Sequence, residues 1–312
     1  MFNGKKVSHI LPFSSPQKEA VQQKLFLENK TGISISGMQE KYSLKLSGNI
    51  LELTIKQGEY ILKPIPTGLL NVNQVPANEH ITMQIAAQIF ELPVAKNALI
   101  FFNDGLPAYI TRRFDVKADG GRCLKEDFAS LAQLTGKTAG KNYKYNYSYQ
   151  SMSVLIDQYF PAAVAAKERF FQLIIFNYLF SNGDAHLKNF SRLDCSTVGD
   201  AFLAPAYDLI NTGLHVDDSD LALTEGLYEN DFKHPSFENY GYYAFDDFFE
   251  FGKKIGLNPI RVKRMITRFF TNEQKVFDFI GRSFLNKESQ SKYIELYKDK
   301  KERLSNSFAG LL

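Results

Sequence analysis

Apolar and polar residues alternate along the first third of the chain, which is the pattern of half-buried strands. Five segments are predicted as strands: KYSLKLSGN (41–49), LELTIKQG (51–58), EYILKPIP (59–66), NALIFF (97–102) and PAYITRRFDV (107–116). Between the third and the fourth strand, apolar residues recur at helical spacing within 77–92, at Met83, Ala86, Ala87 and Phe90, and Pro93 ends the pattern. Strands, one helix and further strands predict a small α+β lobe.

From about residue 120 the apolar residues recur every three or four positions, which predicts helices. The predicted helices are EDFASLAQL (126–134), SVLIDQYF (153–160), VAAKERFFQLIIFNYLF (164–180), FDDFFEFGKKIG (245–256), PIRVKRMITRFF (259–270) and NEQKVFDFIGRSFL (272–285). The change of period divides the chain into an N-terminal β-rich lobe, residues 1–116, and a helical C-terminal lobe, residues 117–312. Ligands commonly bind in the cleft between two such lobes.

Composition narrows the class of protein without changing this division. The 312 residues are 44% hydrophobic, enough for a sizeable core, and carry a net charge of +3 with both signs well mixed. The most apolar run, residues 170–180, is too short to span a bilayer, and the N-terminus does not resemble a signal peptide. The two cysteines, Cys123 and Cys195, show no metal-binding spacing. We therefore expect a cytoplasmic protein with reduced thiols, without a membrane segment or a specific nucleic-acid surface.

A lysine in the third strand is the first candidate for chemistry. Alternation places Lys63 on one strand face with Ile61 and Ile65, among apolar neighbours where a charge needs a partner. Glu79, in the first turn of the following helix, is the candidate partner. Two alternatives are simpler: Lys63 extends to water from the strand end, and Glu79 only complements the helix dipole.

The segment FSNGDAHLKNFS (180–191) is a sharper signal, because an almost wholly apolar helix runs directly into polar residues. Asp184 and Asn189 are five residues apart, the interval at which a kinase catalytic loop places its base and a metal-binding amide. A polar helix cap is the alternative, but a cap needs only one or two such residues. Asp208, in APAYDLINTG (204–213), could supply a second oxygen ligand for Mg²⁺, or simply form a turn.

The loop TGISISGMQEK (31–41) completes the order of parts found in kinases: phosphate loop, strand lysine, helix glutamate, hinge, catalytic loop and metal-binding aspartate. The segments SISGMQEKYSL, YILKPIP, RRFD, NGDAHLKNFS and YDLINTG resemble the signature segments of HipA-like serine/threonine kinases, the toxins of bacterial toxin–antitoxin modules. The resemblance extends from about residue 31 to at least residue 227. It implies a bilobal, protein-kinase-like α+β fold with ATP between the lobes.

The resemblance also implies roles for individual residues. Asp184 would be the catalytic base, with Lys63 and Lys188 also catalytic, Asn189 and Asp208 would hold Mg²⁺, and Glu79 would orient Lys63. The implied nucleotide contacts are Ser36, Gly37, Met38, Gln39, Glu40, Lys41, Lys63, Arg112, Arg113, Phe114, His186, Asn189 and Asp208. Of these, Arg112 to Phe114 would form the hinge beside the adenine. Ser34 and Ser36 would be sites of autophosphorylation, and the added charge would weaken ATP binding.

Only about thirty residues precede the phosphate loop, whereas full-length HipA proteins carry roughly a hundred. The chain therefore resembles the shorter, HipT-like branch, in which the missing subdomain is a separate small protein. The resemblance implies small antitoxin partners of the HipB or HipS kind and a protein substrate in translation, with aminoacyl-tRNA synthetases as the leading candidates. A stand-alone HipA-like kinase that acts on host proteins, after secretion, stays open as an alternative.

Two other function classes are weighed against an active protein kinase. A catalytically silent kinase fold used as a binding module would usually lack one of Lys63, Asp184, Asn189 and Asp208, and all are present. A small-molecule phosphotransferase of related fold would lack the SxSG loop. Residues 136–151 alternate lysine and tyrosine, which is typical of a loop between helices, of a contact with RNA, or of a contact with a protein substrate at the cleft mouth.

Overall fold

The computed structural model describes residues 1–16, 30–34, 39–196 and 199–311, with the backbone alone for residues 30–34. It has a curled β-sheet lobe followed by a helical part, so the predicted α+β, bilobal fold class is confirmed. The lobe boundary at residues 116 and 117 stays a prediction. No helix among the described residues is long and apolar enough to cross a membrane.

The N-terminal sheet contains β1 Lys30–Ser34, β2 Gln39–Ser47, β3 Ile50–Leu53, β4 Tyr60–Pro64, β5 Asn97–Phe101 and β6 Pro107–Arg112. Neighbouring strands follow the order β1-β2-β4-β6-β5, and β3 pairs with β2. All of these pairs are antiparallel. Period-two alternation buries Leu44, Leu62 and Ile110 on one face of the sheet in a small apolar core. The opposite face of β4 is left for Lys63.

The helices are α1 Val75–Gln88, α2 Phe128–Leu131, α3 Gly136–Ala139, α4 Tyr149–Tyr159, α5 Ala163–Leu179, α6 Pro235–Tyr240, α7 Phe245–Lys254, α8 Pro259–Thr267, α9 Glu273–Gly281 and α10 Lys287–Leu304. Helix α5 is buried nearly all round from Phe170 to its end, whereas Val164 and Arg169 in its first half are exposed. In α8, Val262 and Ile266 are fully buried, and Arg261, Lys263 and Arg264 lie on the exposed face.

Helix α1 links the sheet to the helical part. It packs against β5 and β6 and also belongs to the large core that contains α5 and α10. Phe90, just beyond its end, stacks on Phe269 with ring centroids 4.9 Å apart. Glu79 is thus carried by an element held from both sides, which fixes where its carboxylate lies.

A second sheet of three strands was not predicted. It contains β7 Leu124–Asp127, β8 Ser191–Asp194 and β9 Phe202–Leu203, in the order β7-β8-β9. The expected helix at 126–134 is therefore wrong at its start, because β7 pairs with β8 and only α2 is helical. The expected reduced thiols are also wrong in this structure, since Cys123 and Cys195 form a disulfide beside this sheet.

Candidate active site

Lys63 lies at the centre of a buried ionic cluster between the sheet and the helical part. Its side chain is 2% exposed, and its Nζ lies 2.5 Å from Glu79 Oε1 and 2.7 Å from Asp208 Oδ1. A lysine that extends to water is thereby ruled out for this position, and the predicted pairing of Lys63 with Glu79 is present. The cluster joins β4, α1 and the segment after β9 through charged hydrogen bonds.

Asp208 receives a second lysine. The Tyr42–Leu62 register of β2 and β4 sets Lys41 beside Lys63, and Lys41 Nζ lies 2.9 Å from Asp208 Oδ2. Burial would raise the pKa of Asp208, but Lys41 and Lys63 together hold it far below its ordinary value. Asp208 is therefore a carboxylate at neutral pH.

The other members of the cluster respond to the same two effects. Burial alone would lower the pKa of Lys63, yet Asp208 and Glu79 raise it. Burial raises the pKa of Glu79, and Lys63 opposes that change. Lys63 thus remains an ammonium in an almost dry site, where its interaction with an anion is stronger than in water.

The backbone at Asp208 is unusual. Its φ is 57°, in the left-handed region that few residues other than glycine adopt. The preceding Tyr207 is fixed by hydrogen bonds of its hydroxyl with Ser191 Oγ at 2.6 Å and with the Lys188 carbonyl at 2.8 Å. Such conformations concentrate at functional sites. At Asp208 the left-handed backbone accompanies a carboxylate that contacts both Lys41 and Lys63.

The predicted catalytic loop follows α5. The Asn182 side-chain amide donates to Asn177 Oδ1, and the Gly183 amide donates to Thr212 Oγ1, at 2.9 Å each. A Cβ on Gly183 would lie 2.4 Å from the carboxyl carbon of Asp218, so only glycine fits there. Residues 182–184 are thus held by contacts with Thr212 and Asp218 as well as with α5. A polar helix cap, the alternative for this segment, would not need the contacts with those distant residues.

Asp184 and its neighbours form the second half of the site. Asp184 Oδ1 accepts a 2.6 Å hydrogen bond from the Tyr145 hydroxyl, and burial raises the pKa of Asp184. Burial, assisted by Lys144, lowers the pKa of His186 to about 3, so its ring is neutral at pH 7. The loop ends in a short 3-10 turn, Leu187–Asn189, in which Asn189 Oδ1 accepts from the His186 amide at 3.1 Å.

The predicted hinge borders a cleft that opens onto the ionic cluster. Arg112 ends β6 and contacts Asn3, while Arg113 forms two hydrogen bonds with Asp115, at 3.0 and 2.6 Å. Phe114 packs against Tyr207 with ring centroids 5.4 Å apart. The cleft is lined by Lys41, Ile61, Lys63, Ala95, Thr111, Arg112, Arg113, Phe114, Asp115, Lys125, Tyr207 and Asp208. The lining thus combines the aromatic rings of Phe114 and Tyr207 with three lysines and the carboxylate of Asp208.

Part of the predicted phosphate loop cannot be compared with the structure. Ser36, Gly37 and Met38 lie outside the described residues, and for Ser34 only the backbone is described, paired with Gln39 at the end of β1. Gln39 is fully buried and donates from its amide to the Pro64 carbonyl at 3.3 Å. Glu40 accepts from the Tyr42 hydroxyl, so its carboxylate is engaged within β2.

Lys188 forms an ion pair with Asp127. Its Nζ is 3.7 Å from Asp127 Oδ2, and its side chain is 45% exposed. The lysine whose charge most stabilises the Asp184 carboxylate is Lys144. A catalytic role for Lys188 stays a prediction.

Three residues near the cleft were not predicted as site residues. Tyr145 and Lys144 approach Asp184, and Lys125 lies over the rings of Tyr207 and Phe114, with its Nζ 4.8 and 5.3 Å from their centroids. The alternation of lysine and tyrosine at 136–151 marked the first two as unusual, but no spacing rule connected that segment with residue 184. Lys125 follows no motif.

Among the described residues we find no cluster that could hold a metal by itself, that is, no group of three or more histidine, cysteine, aspartate or glutamate side chains. The predicted ligands Asn189 and Asp208 are of the right chemical type, because Mg²⁺ prefers oxygen donors and commonly uses one or two protein ligands with phosphate and water. The donor set therefore fits Mg²⁺ bound together with a nucleotide.

The fold and this arrangement define a bilobal protein of the kinase class. Over 94% of the chain the structure resembles the Shewanella oneidensis MR-1 HipA, HipB and operator DNA complex, with a TM-score of 0.68, 21% identity and 74% of that chain covered. It also resembles the Helicobacter pylori proinflammatory kinase CtkA, with a TM-score of 0.57 and 15% identity, over 85% of this chain and 90% of that one.

Residues 33–276 match the family described as HipA-like C-terminal domain, which is more than half of the chain, so the protein belongs to that family. A Haemophilus influenzae protein named "Putative kinase" is 29% identical over 299 residues, covering 88% of this chain and 81% of that protein. The serine/threonine-protein kinase toxin HipA of Shewanella oneidensis is 27% identical over 204 residues. That match covers 61% of this chain and 46% of the toxin, so the aligned region spans about half of the relative.

Proposed function

We propose that this protein is an ATP- and Mg²⁺-dependent serine/threonine protein kinase and the toxin of a bacterial toxin–antitoxin module. The observation that carries the proposal is the buried Lys63, which bridges Glu79 and Asp208 at one end of a cleft. A buried lysine bound to a helix glutamate and to an aspartate of a second segment is the arrangement by which protein kinases hold nucleotide phosphates.

The charges of the cleft suit ATP. The ammonium groups of Lys41 and Lys63 both contact Asp208, and Lys63 also contacts Glu79; the phosphates of a bound nucleotide would lie beside these two lysines. The adenine ring would lie beside Phe114 and Tyr207, the two aromatic rings of the cleft lining that Lys125 also contacts. When bound, Mg²⁺ would neutralise phosphate charge, with Asn189 and Asp208 as its protein ligands. Asp184 would accept the proton of the acceptor hydroxyl.

The partners are proposed by analogy with the relatives. The Shewanella HipA structure is a complex with HipB and operator DNA, so we propose an antitoxin of the HipB kind, with a HipS-like protein as the alternative for the short branch. The substrate would be a protein of translation such as an aminoacyl-tRNA synthetase. The similarity to CtkA along 90% of that kinase keeps a stand-alone kinase as the second candidate.

We further propose that the kinase phosphorylates Ser34 or Ser36 in its own phosphate loop. A phosphoserine adds about −1.5 to −2 charges at pH 7. Next to Lys41 and Lys63 it would compete with the phosphates of ATP. Replacing both serines by aspartate should weaken ATP binding, whereas replacing both by alanine should preserve it. Equal ATP affinity of the two double variants would refute this regulation.

The test of kinase activity is transfer of label from γ-labelled ATP in the presence of Mg²⁺ to the protein itself or to a protein of a bacterial extract. Asp184→Ala is the matched control, since it leaves the Lys63 cluster in place. Label that requires Asp184 supports the proposal, and identification of the labelled protein names the substrate. No transfer by a protein that binds ATP would favour a silent binding module.

A further inference from the structure

Residues 143–149 form an ordered segment against the catalytic loop, which we call the tyrosine strap. The Leu187 amide donates to the Lys144 carbonyl at 3.1 Å, and the Tyr149 hydroxyl donates to the Ala185 carbonyl at 2.8 Å. On its other side, the Thr224 amide donates to the Tyr145 carbonyl at 3.0 Å. The strap therefore ties the catalytic loop to the segment around residue 224.

Tyr145 is the residue of the strap that reaches Asp184. Its hydroxyl donates to Asp184 Oδ1 at 2.6 Å, and its ring meets His186 edge to face with centroids 5.0 Å apart. A short hydrogen bond to a carboxylate is among the stronger ones in proteins. Because the backbone is held by Thr224 and the ring by His186, the hydroxyl is fixed before any acceptor arrives.

In the part of the chain that the structure describes, one oxygen of the Asp184 carboxylate makes the side-chain contacts. Among the described residues, the contacts of its side chain with Tyr145 and His186 both fall on Oδ1. The hydrogen bond to Tyr145 therefore restrains rotation of the carboxylate and leaves Oδ2 as the oxygen that would receive a proton. The charged groups that also face Asp184 are Lys144 from the strap, Lys41 and Asp208 from the ionic cluster, and Asp218 from the loop beyond it.

We propose that Tyr145 is a positioning residue, which holds Asp184 with one oxygen directed at the hydroxyl of the phosphate acceptor. This inference rests on the proposed kinase function, and it makes Tyr145 part of the active site. Tyr145 would act through Asp184. The alternative is that its phenol occupies the acceptor position and inhibits the enzyme, in which case removing the hydroxyl would raise the rate.

The test is the change Tyr145→Phe, which removes the hydroxyl and keeps the ring against His186. We expect kcat for label transfer to fall about ten- to a hundredfold, the effect of losing one hydrogen bond to a charged group, with KM for ATP unchanged. Tyr147→Phe is the matched control. It makes the same chemical change two residues along the strap, where the backbone carbonyl binds the Glu225 amide at 3.3 Å, and should leave kcat unchanged.

A second measurement separates positioning from general damage to the fold. In an Asp184→Asn background, single-turnover transfer with excess enzyme should change less than twofold on adding Tyr145→Phe, because the two residues act as one unit. Equal fold losses in both backgrounds, an unchanged kcat or an increased kcat for Tyr145→Phe would each overturn the inference. These outcomes presuppose transfer by the unaltered protein, whose absence would instead refute the proposed function and the role of Asp184 with it.

Discussion

Removing the amino group of Lys63 should destabilise the fold strongly. In Lys63→Met the carboxylates of Glu79 and Asp208 lose their shared partner. Water cannot replace it at Glu79, because the Glu79 and Lys63 side chains are each only 2% exposed. Removing one member of a buried ion pair costs about 3–5 kcal/mol, because the remaining charge stays buried without compensation. That is a large part of the roughly 5–15 kcal/mol by which folded domains are stable.

Lys41→Met is the matched control, because it removes a lysine from the same Asp208 at a side chain that is 22% exposed. Asp208 would keep Lys63, and the loss should be about 1 kcal/mol or less, as for partly exposed pairs. Adding Glu79→Gln to Lys63→Met should recover part of the lost stability, since one unpaired carboxylate is removed.

The effect of Lys63→Met should also depend on pH. Without the lysine, burial raises the pKa of Glu79 further above its value in the unfolded chain, and Glu79 can escape the penalty by binding a proton. Stability is therefore lost as the pH rises, and the destabilisation should be larger at pH 8 than at pH 6. The free energy of unfolding can be measured by denaturant titration with far-UV circular dichroism, since the chain contains no tryptophan. Equal losses for Lys63→Met and Lys41→Met would refute this reasoning.

Three further predictions concern the surroundings of the site. His215 binds Leu70 through Nδ1 and Asn78 through Nε2, and burial lowers the pKa of its ring. As the pH falls below about 6.5, the unfolded chain binds a proton at this histidine before the folded chain does, and the folded state loses stability. His215→Gln should therefore reduce the decrease in melting temperature between pH 7 and pH 5. The disulfide of Cys123 closes a loop with a sequence separation of 72 residues; Cys123→Ser should lower the unfolding free energy by about 4 kcal/mol, and an unchanged melting temperature would contradict this. Gly183→Ala should displace Asp218 and lower label transfer at least tenfold while ATP binding persists; full activity would contradict the packing argument.

The ionic cluster was predictable where one strand and one helix follow each other directly. Alternation placed Lys63 on the face opposite Leu62, and Glu79 lies in the first turns of the next helix. Their pairing thus depends on local periodicity and on the connection of residues 65–74 between the two consecutive elements. The approach of Asp208 was suggested by the order of the kinase-like segments, since its sequence distance alone says nothing about contact.

The contacts that were missed depend on pairing between distant segments. Tyr145 reaches Asp184 only because the strap is hydrogen-bonded to the catalytic loop, and no periodicity within 136–151 encodes that partner. The three-stranded sheet and its disulfide likewise depend on the pairing of β7 with β8, which brings Cys123 and Cys195 together. Two cysteines 72 residues apart carry no local signal of their proximity.

The central claim is that this HipA-like chain transfers the γ-phosphate of ATP and that Asp184 is the base. The most direct measurement compares the unaltered protein with Asp184→Asn, for ATP binding in the presence of Mg²⁺ and for single-turnover transfer of the γ-phosphate to a protein hydroxyl. We expect ATP affinities within about twofold of each other and a loss of transfer of about a hundredfold or more in the variant, because base catalysis contributes about 10²–10⁴ in rate. Equal transfer by both proteins, or ATP binding without transfer by either, would contradict it.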